Sequence, residues 1–279
     1  MPVEQLLFGY REGHRLIAGS VELDAEVIWG LIRNTDRPST KSENLLSGIT
    51  FGYPLNERFY ALFRTWSALE ISRPGAVWTH VLLIPKVFSS PLSFIDLFRK
   101  PVRADFSSYK KSIDVSNNII DVNSSIPLSD ESARLLLLIS SKSRSDVKVI
   151  CRDDPLRVLN SASNFCSDIL TKRYFSTDAG KISKKISGIE SFIISQDSAL
   201  LEDKGGWVSI ASNDISLPSK RIDYAWNRLN RDAEFCARWL AYSMDNLTKT
   251  STNLKISFEA LNLGAGTLDD FKFLARLSK

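Results

Sequence analysis

The sequence predicts an α+β fold, with a strand-rich N-terminal part built from antiparallel hairpins and a helical C-terminal part. Three observations predict it. Short alternating runs broken by Gly and Pro turns fill the first hundred residues. Far downstream, Ile222, Trp226, Leu229, Ala233, Cys236, Leu240, Met244 and Leu247 recur at spacings of three and four. That is the stripe of one helix of about seven turns. Between these regions, 101–128 holds serines, asparagines and isolated apolar pairs without a period. A boundary near there divides a mixed domain over 1–125, carrying both histidines, from a mostly helical domain over 126–279 packed on it.

Taken in order, residues 3–9 and 14–20 read as two strands around the turn "YREG", where Gly13 supplies the positive φ of a tight turn. Asp24 then caps a helix whose buried stripe is Val27, Ile28, Leu31 and Ile32, with Leu23 packing on Ile28 as a staple. The polar stretch 34–48, "NTDRPSTKSENLLSG", reads as an exposed loop and a natural recognition surface. "RFYALFRTW" over 58–66 and "VWTHVLLIP" over 77–85 read as strands, separated by the turn "SRPGAV". Ser90 and Pro91 open a short helix through Phe98.

Ser129 caps a helix carrying "ARLLLLI", with Asp130 and Glu131 in its first turn. "DVKVICR", 146–152, is a short strand, and Pro155 enters a helix over 155–170. "KRYFST" and "GGWVSIAS" read as strands. After a Gly264-Ala265-Gly266 break, Thr267 caps a last helix with Asp270 at the capping-box position.

Composition narrows the function classes. With 43% hydrophobic and 24% charged residues, the chain has the makings of an ordinary folded core. A net charge of +4 is thinner than the basic stripe of a dedicated nucleic-acid binder. The longest apolar run, Leu135 to Ile139, falls far short of the ~18–20 residues a membrane span needs. No cleavable leader pattern opens the chain. Cys151, Cys166 and Cys236 lie far apart with no CxxC pair, so they read as buried free thiols in a reducing compartment, and the protein as cytoplasmic.

The chain has two histidines, His14 and His80, each in a stretch of alternating apolar residues. If their strands pair, the two rings meet on one face and form a conceivable site for phosphoester or metal chemistry. Neither sits in HExxH or HxH, and neither is followed by the x-Thr/Ser of a two-histidine phosphoesterase, so a structural role is favoured and no metal is assigned. There is no GxSxG elbow. "GKIS" at 180–183 has the tail of a phosphate loop, but Phe175 stands where its first glycine belongs. No cofactor is therefore expected.

Lys172, Arg173, Lys184 and Lys185, with Tyr174 and Phe175 among them, form a candidate nucleic-acid clamp. The aromatic set Phe59, Tyr60, Phe63, Trp66 and Trp78 puts large apolar groups on both faces of one strand. Such a strand is either central and covered on both sides, or offers a patch to a partner.

Two separated stretches carry a resemblance. "LLFGYREGHRLIAGS", with Gly9, Tyr10, Gly13, His14 and Arg15, precedes "FYALFRTWSALEISRPGAVWTHVLLIP", with Arg64, Thr65, Trp66, Arg73, Pro74, Gly75, Val77, Trp78, Thr79 and His80. Over about the first ninety residues the chain resembles the N-terminal domain of GTPase-associated protein one, a bacterial family encoded beside a GTPase in predicted conflict and antiphage systems. The resemblance implies no catalytic residues. It implies an adaptor, sensor or regulator that works through a GTPase, an effector or a phage protein. On that reading Tyr10, Arg11, His14, Arg15, Arg64, Trp66, Trp78 and His80 are the partner-contact residues. The alternatives are an enzyme using His14 and His80 on nucleotides or nucleic acid, and a nucleic-acid-binding sensor using the basic segment.

Overall fold

The computed structural model describes residues 2–36, 42–88, 91–115, 129–141, 147–178, 189, 191–202 and 206–211. Lys184, Lys185, Cys236, the stripe over 222–247 and the helix expected after Thr267 lie outside the described residues. In chain order the elements are β1 (Glu4–Tyr10), β2 (His14–Gly19), α1 (Ala25–Thr35), α2 (Ser42–Ser47), β3 (Ile49–Pro54), β4 (Phe59–Ser67) and β5 (Val77–Pro85). Two 3-10 helices follow, Pro91–Leu97 and Arg103–Lys110. Then come α3 (Asp130–Ser141), β6 (Val147–Ile150), α4 (Pro155–Thr171), β7 (Tyr174–Ser176), β8 (Ser191–Ser195), the 3-10 turn Ser198–Leu201, and β9 (Val208–Ser209).

All nine strands join one sheet in the order β2-β1-β5-β4-β3-β7-β8-β6-β9. The five N-terminal strands pair antiparallel, and four of them, β1, β2, β4 and β5, are those the alternating runs and short turns predict. The β1–β2 turn is tight: Tyr10 pairs with His14, and both Glu12 and Gly13 have positive φ. β7, β8, β6 and β9 pair parallel, and β3 joins the halves through an antiparallel pairing with β7. Strand pairing thus crosses the boundary drawn near residue 125. The described part of 126–279 is mixed, with four parallel strands beside α3 and α4, because β6 and β7 flank a helical crossover of the βαβ kind.

Each face of the antiparallel half has its own core. On one face Leu6, Phe8, Phe51, Phe63, Val81 and Leu83 pack under Leu31, Val27 and Ile32 of α1. On the other, Tyr60, Leu62, Leu82 and Ile84 pack with Leu92, Phe94 and Ile95 of the first 3-10 helix and with α3 and α4. β4 is therefore a central strand covered on both sides, which accounts for its aromatics on both faces.

The caps are mixed in outcome. The Asp24 side chain makes no capping bond on α1, whereas Ser129 Oγ accepts from Ser132 N at 3.1 Å at the head of α3. Three differences from the sequence reading stand out. The exposed loop over 34–48 is in part helical: Asn34 and Thr35 end α1, and 42–47 form α2. β3 was hidden by Gly52 and its closing Pro54. A Cβ at Gly52 would lie 2.7 Å from the Phe175 ring and 2.9 Å from the Tyr60 hydroxyl, so the glycine serves packing here, not a turn. β8, five residues set between polar stretches, was also unassigned.

At the C-terminal end of β6, Glu131 reaches from the first turn of α3 and accepts from Arg152 N at 3.0 Å and Asp153 N at 3.1 Å. Cys151 beside it is a buried free thiol pushed up to about 12, by burial first and then by the charge of Glu131. No described helix is long and apolar enough to cross a membrane.

Candidate functional site

Both sequence motifs converge on one end of the antiparallel half. The β4–β5 register pairs Trp66 with Trp78. Each indole is received by a glycine on its outer side. A Cβ on Gly9 would sit 2.0 Å from the Trp78 ring, and one on Gly48 2.7 Å from Trp66 Nε1. A Gly-Trp-Trp-Gly row therefore crosses the sheet, and Trp78 is pinned further by its Nε1–H donated to Glu70 and by an edge contact with Phe106. Trp66 and Trp78 are buried.

One row inward, Thr50 pairs with Arg64, and Arg64 with His80. Arg64 lies over the Trp66 ring, 5.6 Å from its centroid, and donates to Ser47 O at 3.1 Å, closing the C-terminus of α2. Thr50 Oγ1, Arg64 Nε and His80 Nδ1 are buried without a hydrogen-bond partner among the described residues. His80 is 1% exposed, edge-on to Phe98 and Tyr109, with Nε2 3.0 Å from Gln5 Oε1. Because Gln5 Nε2 donates to Lys111 O at 2.6 Å, its Oε1 must accept, and His80 Nε2 carries the hydrogen. Burial, with the positive charge of Arg99 second, pulls His80 down to about 3. Its ring is a neutral internal brace at physiological pH.

His14 does a related job on the opposite face. Its partner Tyr10 shares the face of Phe8, whereas His80 pairs with Leu7 on the other side of β1. Accordingly His14 stacks near Phe8, at 6.4 Å between ring centroids. His14 Nε2 lies 3.0 Å from Thr35 Oγ1, which donates onward to Ile32 O; the histidine is therefore the donor. Thr35 O accepts from Thr79 Oγ1 at 2.9 Å, and Thr79 accepts from Thr65 at 2.8 Å. Two histidines and three threonines thus act as joinery, and the sheet separates the two imidazoles instead of gathering them into one cleft.

What remains on the surface at this end is the hairpin tip and the β4–β5 turn. Tyr10 is half-buried, and Arg11 and Arg15 are exposed, with Arg15 paired to Glu12 at 3.1 Å. The exposed Arg73 places its guanidinium 4.7 Å from the centroid of the Tyr10 ring, joining the turn to the tip. Leu69 is 73% exposed in the same turn.

Of the expected contact residues, Tyr10, Arg11 and Arg15 are therefore presented outward, His14 and Arg64 are half-buried in internal bonds, and Trp66, Trp78 and His80 are interior. The placement has a simple cause: β4 and β5 are central strands covered on both faces, so their motif side chains point inward. Sequence reasoning missed Arg73, whose signal was an arginine opening the Pro-Gly turn, and Thr35, whose role needs the path of α1. In the basic segment, Lys172 is exposed but Tyr174 and Phe175 are buried in the sheet, which removes the stacking half of that clamp. Among the described residues no cluster of metal-ligating side chains occurs.

Residues 2–96 match the family model of GTPase-associated protein 1, N-terminal domain type 1. The matched stretch runs from β1 into the first 3-10 helix and includes both motifs and the whole antiparallel half, so the resemblance read from the motifs is borne out there. Comparison with curated proteins and with solved structures gave no match.

Proposed function

We propose, from the N-terminal-domain match over residues 2–96, that this chain is a non-enzymatic adaptor or sensor of a GTPase-associated bacterial conflict or antiphage system, acting in the cytoplasm through protein–protein contacts. The observation that carries the reading is the use made of the motif residues. Both histidines and both tryptophans of the motifs are fastened inside the sheet end, and they hold a tip and a turn that face outward with arginines and a tyrosine. A catalytic histidine needs a pKa near the working pH and access to its substrate, and His80 has neither. Arginine and tyrosine on a rigid support are, by contrast, the residue types that dominate protein interfaces.

The test is to identify a GTPase gene in the gene's neighbourhood, co-express its product with the chain, and follow the two by size-exclusion chromatography. Co-elution of the two chains is expected, and the Arg11→Glu/Arg15→Glu variant is expected to weaken it. Separate elution of two folded proteins, with and without guanine nucleotide, would overturn the GTPase-adaptor reading.

A further inference from the structure

The outward end of the sheet is specific about the chemistry it offers. Arg73 holds its guanidinium carbon over the Tyr10 ring, 4.7 Å from the centroid, and its side chain has no hydrogen-bond acceptor among the described residues. A cation–ring contact restrains an arginine without using up its N–H donors, which stay available to an acceptor. Glu12, two residues from Tyr10, pairs with Arg15, and Glu70, three residues from Arg73, accepts from Trp78 Nε1. Arg11, next to Tyr10 at the hairpin tip, is exposed and likewise has no side-chain partner among the described residues. The backbone beneath is rigidly set, by positive φ at Glu12, Gly13 and Gly75 and by the Trp78 ring lying over Gly9.

We propose that Arg73, held over the Tyr10 ring, with Arg11 next to that tyrosine in the chain, is a carboxylate-binding fork that receives an acidic segment of a partner protein. This rests on the docking reading of the sheet end and adds the chemistry of what docks. A guanidinium fixed in advance loses little side-chain entropy when it takes a carboxylate in two parallel hydrogen bonds. The exposed Leu69 adds an apolar side chain in the same β4–β5 turn.

The experiment uses the full chain and a fluorescein-labelled oligoglutamate peptide, followed by anisotropy at several salt concentrations. Binding is expected to weaken about tenfold or more in Arg73→Glu. Arg73→Lys is expected to lose most of that, since an ammonium keeps the charge without the fork. Tyr10→Leu should behave like Arg73→Lys, because it removes the stacking surface and not the cation. Arg58 is the control: it also stacks on a ring, 5.2 Å from the Phe59 centroid, but at the opposite end of β4. Arg58→Glu changes net charge equally and is expected to leave binding unaltered.

Absence of binding by the folded chain would overturn the proposal. So would equal weakening by Arg58→Glu and Arg73→Glu, which marks diffuse charge attraction. Tighter binding of a single-stranded oligonucleotide through the same residues would replace carboxylate by phosphate and overturn it as well. Co-elution with the GTPase that survives Arg73→Glu would remove the fork and leave the adaptor reading in place.

Discussion

His80 sets the acid sensitivity of the fold. Its ordinary value is 6.5 and the folded value about 3, so between these pH values the unfolded chain holds a proton that the native one refuses. Stability contributed by the neutral ring is complete above pH 6.5 and is lost as pH falls toward 3. Over the two units from pH 6.5 to 4.5 this amounts to roughly 2–3 kcal/mol. Urea denaturation of the wild type and His80→Gln at pH 7 and 4.5 should show the wild type losing more by about that amount; equal losses would mean the ring is not held neutral. Thr50 gives the opposite kind of expectation. Its hydroxyl is buried and has no partner among the described residues, so Thr50→Val is expected to be neutral or stabilising by up to about 1 kcal/mol in the same measurement.

Among elements, the Gly-Trp-Trp-Gly row and the β6–α4 junction carry the sharpest expectations. Gly9→Ala forces a methyl to within 2.0 Å of the Trp78 ring, and the backbone cannot yield without breaking the β1–β5 pairing. A loss of about 2–3 kcal/mol, with a changed tryptophan signal in near-UV circular dichroism, is expected. Glu131→Ala leaves the Arg152 and Asp153 amides without their carboxylate and should cost about 2–3 kcal/mol. The strands with strict alternation or dense aromatics were legible: β1, β2, β4 and β5 fall where the pattern put them. β3 was not, because what makes Gly52 tolerable is Phe175, more than a hundred residues away, and no local pattern contains that contact. The site was half legible for the same reason: composition identifies Trp78 and His80 as distinctive, and only the register shows them facing inward.

At the scale of the whole molecule, the antiparallel and parallel halves share the β3–β7 pairing and a core in which Phe175 stacks on Phe192, 5.9 Å between centroids. The family match ends before α3, yet the sheet continues past it. Phe175→Ala is therefore expected to cost about 3–5 kcal/mol and to lower one common transition, read by hydrogen exchange in β4 and β8 together. Independent opening of the two strands would support a division near residue 125. Thr35 closes the account of the N-terminal half. One residue at the end of α1 grips β2 through its hydroxyl and β5 through its carbonyl. A displacement of that helix would reach both strands through this single residue, which ties the position of the hairpin to that of α1.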